Sequence, residues 1–277
     1  MRRILLNITL LLCTAITLQA QTTEDYLSRY NMLVSRVGYD GIGVETLLDK
    51  WESADPVDIN HMLARFNFWL SKAVRDSVVT SYKPNYLGLE PLLSTKDSTG
   101  RSLYYFNEPL YDPLTFDKAI SYLDKALEHD NGRLDIMLTK ADALVSYEKE
   151  IPDSSTDFIL KLVDLNFSRK AKWDCPSVEV TEAVFFDAIE HYCITFFNIG
   201  SPAALEAMFK VSSRVVKSRP AETRFINFIG AYYVKAKKDD KKALKYYRQS
   251  LKLEPENAVA QQNVNLIQRR MAASKKK

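Results

Sequence analysis

Asp187, Glu190, His191 and Cys193 form the one local cluster in this chain whose side chains could do chemistry together. On a helix, Asp187 and His191 stand four residues apart and share a face, a spacing that suits an acid–base pair or two metal ligands. Cys193 points to another face, and no His-Glu-x-x-His spacing accompanies the cluster. It therefore reads as a polar patch turned to solvent or to a groove. Glu148 and Glu150 make a surface pair with weaker claims, and His61 and His129 lie far away in sequence. Gly41-Ile42-Gly43 lacks the third glycine of a dinucleotide fingerprint, and there is no Walker-type Gly-Lys-Ser/Thr run. Cys-x-x-Cys pairs and a Gly-x-Ser-x-Gly elbow are also missing. No catalytic residue, metal ligand or cofactor is assigned.

The elements that would carry such side chains are helices. Glycine is scarce, 8 of 277 residues, whereas tight turns and phosphate-cradling loops need positive φ and so consume it. Apolar residues recur at three- and four-residue steps, as in Leu134, Met137, Leu138, Ala141, Leu144 and Val145. Reading from proline to proline predicts helix pairs at 24–37 with 44–53, 58–78 with 115–129, 134–149 with 153–165, 181–198 with 203–218, and 222–237 with 240–253. A lone helix at about 257–272 covers the last exposed apolar face, as the end of a stacked array requires.

The segment 222–257 has a pattern of its own. Gly230-Ala231-Tyr232-Tyr233 is followed by Ala243, Tyr247, Leu251, Pro255 and Asn257. Small residues there let two helices approach, aromatics fill the gaps between neighbouring pairs, and proline ends the second helix. A weaker copy is Ala119, Leu123, Ala126 and Leu127, and Pro56 with Asp58 echoes Pro255 with Asn257. These offsets resemble the tetratricopeptide repeat (TPR), with one extra residue in the turn and Ser250 where alanine is usual. The resemblance implies an all-α, right-handed α-solenoid of about five helix pairs with a C-terminal capping helix. It also implies binding through first helices, whose groove positions map here to Asp135, Leu138, Asp142, Arg224 and Asn227. Ala231 takes the place of a further polar groove residue, so a basic clamp for a terminal carboxylate is not evident.

Two stretches interrupt the array. Residues 79–113 hold four prolines, and Leu92–Thr95 and Ser102–Phe106 flank Asp97-Ser98-Thr99-Gly100, which predicts an inserted β-hairpin. Residues 166–180 read as a loop carrying Trp173, Cys175 and Pro176. An oxidising compartment would permit one disulfide between Cys175 and Cys193. Alternatively, Cys193, in an apolar run, is a buried core thiol.

Arg2 and Arg3, the apolar run to Leu18 and the small residue Ala20 before Gln21 have the layout of a secretory signal peptide over residues 1–20. Export, most simply to a periplasm, follows. Cys13 is preceded by Leu12 rather than a small residue, which argues against a lipid-attachment box. The remaining domain is 21–277, ending in a basic tail at 273–277. Its charge is uneven: residues 222–277 hold 14 basic and 5 acidic side chains, a net of +9, while 21–221 carry −8.

The function expected from these features is a non-enzymatic scaffold that binds a protein or peptide in the concave groove of the helix array. Nucleic acid is not an expected partner. The basic C-terminal end could make peripheral contact with an acidic protein or an anionic membrane surface. The layout also resembles the exported repeat proteins that help assemble outer-membrane barrels. That makes a structural subunit of an envelope complex the alternative, with an enzyme centred on Asp187/His191 or in the 79–113 insertion as a third class.

Overall fold

A computed structural model describes residues 23–168 and 172–274. Residues 1–20, expected to form a signal peptide, and Lys275–Lys277 lie outside the described residues. The described residues divide into two compact units. The first comprises residues 23–75 with Leu110–Asn131, the second Asp76–Pro109 with the chain from Gly132 onward. Eleven helices and five short strands are present among the described residues, so the fold is all-α with a small sheet.

In the first unit, α1 (Thr23–Val37) and α2 (Val44–Ala54) pair, and α3 (Ile59–Ala73) pairs with α4 (Pro113–His129). Trp51 anchors this unit. It is fully buried among Tyr26, Tyr30, Leu48, Ala64 and Phe68, stacks on Tyr26 at 5.9 Å, and donates its Nε1 hydrogen to Asp58 Oδ2 at 2.8 Å. Asp58 in turn caps α3 by accepting from the Asn60 backbone N–H. Arg65, 4% exposed, ties α2 to α3 by donating to Asp49 at 2.6 Å and Glu52 at 2.7 Å. Its Nε donates to His61 Nε2 at 3.2 Å, a bond that requires the imidazole to be neutral. Burial, then the Arg65 charge, holds the His61 pKa below its usual value.

The predicted helix over 58–78 stops at Ala73, and the chain turns into strands. β-Branched Val74, Val78, Val79 and Thr80 favour extended backbone at that point. β1 (Val74–Arg75) pairs antiparallel with β5 (Leu110–Tyr111), tying the end of α3 to the start of α4. Between them, β2 (Val78–Ser81), β3 (Leu93–Lys96) and β4 (Ser102–Asn107) form an antiparallel sheet in the order β2-β4-β3. The inserted hairpin is therefore two strands of a three-stranded sheet, and it belongs to the second unit. Phe106 is its buried anchor, with Tyr86 at 5.7 Å. Lys149 donates to Glu108 at 2.9 Å. Gly88, at φ +80°, lies so close to the end of the helix at Asn198 that an added Cβ would come within 3.3 Å of the backbone.

The β3–β4 turn is closed by the carboxylate of Asp97. Its Oδ1 accepts from Thr99 N at 2.8 Å, Thr99 Oγ1 at 2.6 Å and Arg101 N at 2.9 Å, while Gly100 supplies the left-handed residue at φ +82°. The Thr99 hydroxyl bond, followed by the backbone donors, holds the Asp97 pKa down from 3.8 to about 2. A depressed folded pKa means the carboxylate supports the turn fully above the unfolded value. That support is lost as pH falls through about 2. An NMR titration of the Asp97 carboxyl is expected to give a midpoint well below 3.8, with the turn amides of Thr99 and Arg101 shifting in step.

The second unit continues with α5 (Leu134–Glu148), α6 (Asp153–Phe167), α7 (Glu182–Ile199), α8 (Pro202–Ser218), α9 (Thr223–Lys235), α10 (Asp240–Leu253) and α11 (Ala258–Ser274). Each pair packs internally (α5 on α6, α7 on α8, α9 on α10), and neighbours join through α6 with α8, α8 with α9, and α10 with α11. Pro202 sits at the start of α8, where its missing N–H would have had no helical partner, and Ser201 caps that helix. Glu148 accepts from the backbone N–H groups of Ser154 and Ser155 at 2.7 and 2.8 Å, so it caps the start of α6. Aromatic side chains bridge neighbouring pairs, where Phe186 meets Phe225 at 6.0 Å and Phe209 stacks on Tyr232 at 4.3 Å. Within the last pair, Tyr233 stacks on Tyr246 at 5.5 Å.

The repeat positions in the last pair are packing contacts. A Cβ placed on Gly230 of α9 would lie 2.9 Å from the ring of Tyr247 on α10. Ala243, Leu244 and Tyr247 then join Ala260, Val264 and Ile267 of α11 in one buried cluster. Asn257 caps α11 by accepting from Ala260 N at 2.9 Å.

Candidate functional site

The first helices of the three pairs in the second unit are linked directly side to side. Tyr192 of α7 donates its hydroxyl to the Leu138 carbonyl of α5 at 3.2 Å. Arg224 of α9 reaches back to Asp187 at 2.6 Å and Glu190 at 2.9 Å on α7, and is flanked by Glu222 at 3.2 Å. These bonds place α5, α7 and α9 in a row. Along it, half-exposed Leu138, Phe228 and Ala231 and the exposed Ile194 alternate with Asp142, Asp187, His191 and Arg224.

Four of the five residues that the repeat resemblance assigns to binding lie on this row. Asp135 is held bidentate by Arg133 at 2.8 and 2.7 Å. Its pKa is lowered: burial works against the carboxylate, and the Arg133 bonds more than offset it. Leu138 contributes a half-buried apolar side chain. Asp142 stands at the solvent edge of α5 with Tyr192 and His191 beside it. Partial burial raises its pKa, while the Tyr192 hydroxyl and the His191 charge pull the other way. Arg224 is raised above its ordinary value, because its bonds to Asp187, Glu222 and Glu190 outweigh the cost of burial.

Asn227 stands apart from the row. It is 9% exposed and donates to Asn257 Oδ1 at 3.1 Å, within a network in which Thr223 and Asn257 both donate to Glu254, at 2.6 and 2.8 Å. Its side chain joins α9 to the start of α11.

The acid–base reading of Asp187 and His191 meets a competing interaction. The Asp187 carboxylate turns to Arg224, 37 residues away in sequence, while the exposed His191 ring lies against Tyr192 at 5.9 Å. Among the described residues, no group of three or more His, Cys, Asp or Glu is arranged to hold a metal ion. Sequence reasoning missed Tyr192 and Phe228. Tyr192 reads as an ordinary core aromatic until its hydroxyl is seen reaching the neighbouring helix.

The disulfide permitted between Cys175 and Cys193 is not formed; both are free thiols. Cys193 is fully buried on α7 with its Sγ 3.5 Å from Ser212 Oγ of α8, whereas Cys175 lies in the loop beside Ser177. Burial pushes the Cys193 thiol up to about 12, so almost no thiolate forms at neutral pH. Thiol titration is expected to label Cys175 in the native protein and Cys193 only after denaturation.

No family model matches the chain, and no curated protein matches it. Among solved structures it is similar to the crystal structure of YrrB, a TPR protein with an unusual peptide-binding site. The identity is 14% over 90% of this chain and 95% of that one, with a TM-score of 0.39. It is also similar to the crystal structure of the MamA protein, at 15% identity over 86% of this chain and 94% of that one, with a TM-score of 0.43. No helix among the described residues is long and apolar enough to cross a membrane.

Proposed function

We propose that the chain is a non-enzymatic, protein- or peptide-binding scaffold of the cell envelope, exported by its N-terminal signal and cleaved near Ala20. Binding falls on the first-helix row of the second unit. The observation that carries this reading is the row itself. α5, α7 and α9 are cross-linked by Tyr192 and Arg224, yet leave apolar Ile194 (44% exposed) and the carboxylate of Asp142 turned to solvent. A surface fixed by its own hydrogen bonds meets a partner with little ordering cost.

Asp142→Lys is the cleaner test of this face, because Arg224→Glu would also set a fourth carboxylate among Asp187, Glu190 and Glu222. The expected result of Asp142→Lys is about tenfold weaker capture of the native partner with a nearly unchanged helical melt. Unchanged capture would remove the row from the binding surface.

A second reading, a structural subunit meeting an acidic protein or an anionic membrane surface, is favoured by α10. Lys241, Lys245, Arg248 and Lys252 are exposed along one face of that helix, and none meets a carboxylate among the described residues.

A further inference from the structure

The first unit contains a basic groove with an apolar floor. It runs between α1 and α2, is open to solvent with a volume of about 460 Å³, and is lined by Arg29, Met32, Leu33 and Arg36 from α1, with Leu47 and Lys50 from α2. None of its lining side chains is a carboxylate.

The three acids of α2 are engaged elsewhere. Asp49 and Glu52 serve Arg65, and Glu45 reaches Lys72 at 3.4 Å. Asp25 approaches Arg29 only at 3.7 Å across an exposed surface, a contact of small worth in water. Arg36 and Lys50 meet no carboxylate among the described residues. Between the cations, Met32 is 51% exposed and forms an apolar floor with Leu33 and Leu47.

Arg29, Met32, Leu33 and Arg36 follow the i, i+3, i+4, i+7 order of a single helix stripe. The two guanidinium groups therefore rise from positions about 10.5 Å apart along α1. The complement of such a stripe is another helix laid into the groove, with carboxylates at i and i+7 and apolar side chains at i+3 and i+4. We infer that this groove is a second docking site, for an acidic amphipathic helix of a partner protein. A concave trough with a central apolar floor suits a helix ridge, where a lipid surface would call for a flat or convex patch.

The test uses the full mature chain and a fluorescent synthetic peptide, helical in isolation, with Glu at i and i+7 and Leu at i+3 and i+4. Saturable binding is expected. It should weaken at least about tenfold in the Arg36→Glu/Lys50→Glu variant and be lost when the peptide's Glu residues are replaced by Lys. Both protein side chains are exposed, so the helical melt should hold. If it does not, Arg36→Gln/Lys50→Gln gives the same comparison without charge reversal. Asp142→Lys should leave peptide binding unchanged, which separates this site from the first-helix row. Absence of saturable binding, or equal binding by wild type and both groove variants, would overturn the inference. So would phosphatidylglycerol vesicles, rather than the peptide, being captured in an Arg36- and Lys50-dependent way.

Discussion

Replacing Trp51 with alanine is expected to destabilise the protein by about 3–5 kcal/mol, the range for deleting a large buried aromatic. The side chain is fully buried and contacts two tyrosines and His61. Its indole N–H also serves Asp58, the cap of α3. Loss of the ring thus opens a cavity between α1, α2 and α3 and leaves the capping carboxylate with one donor fewer. Trp51→Phe separates the two contributions. It keeps most of the packing and should cost about 1–2 kcal/mol, as expected for one buried charge-assisted hydrogen bond together with the volume lost. Hydrogen exchange read helix by helix is the suitable measurement. Trp51→Ala should raise exchange in α1 to α3 while the α9 to α11 amides keep their protection.

Gly230→Leu is expected to act at the other end of the chain by overpacking. Even a single added Cβ would stand 2.9–3.0 Å from three ring atoms of Tyr247, and Tyr247 is itself only 2% exposed. A leucine cannot be accommodated without moving α9 off α10, and a cost of about 3 kcal/mol is expected. Gly230→Ala is the informative milder change. Alanine gains about 1 kcal/mol of helix propensity over glycine, so a net loss of stability would measure the clash directly. The clash should be relieved when Tyr247→Leu is added, giving a favourable coupling in a double-mutant cycle. Additive effects would mean that the close approach of the two helices does not depend on Gly230.

Much of this was legible in the sequence, and the reason is physical. Helix pairs announce themselves through apolar periodicity, and a close helix contact through an unusual residue, Gly230, at a fixed distance from Tyr247. The five expected pairs and the final helix are all present. First helices meet where Tyr192 joins α7 to α5 and Arg224 joins α9 to α7.

What escaped was whatever depends on partners distant in sequence. The end of α3 at Ala73 is decided by strand pairing, with Val74 and Arg75 of β1 taking as partners Tyr111 and Leu110, far along the chain. The engagement of Asp187 by Arg224 and the burial of Arg65 against Asp49 and Glu52 are likewise long-range. Asn227 shows the limit of carrying over a family position. Its place in the repeat marks a groove, yet here its amide lies within the Thr223–Glu254–Asn257 network at the start of α11. The charge pattern was half visible. The acidic excess before residue 222 is plain in the charge count, but the cations of the α1–α2 groove are hidden within it.

Whether the first-helix row of the second unit is the binding surface can be tested by placing a photo-crosslinking residue at one position at a time and irradiating intact cells that produce the protein. Positions 138, 191 and 194 lie on the row, whereas 245 and 248 lie on the outward face of the second helix α10. The expected result is one shared crosslinked partner from the row positions, lost when Asp142→Lys is introduced. Crosslinks confined to 245 and 248, with none from the row, would contradict it.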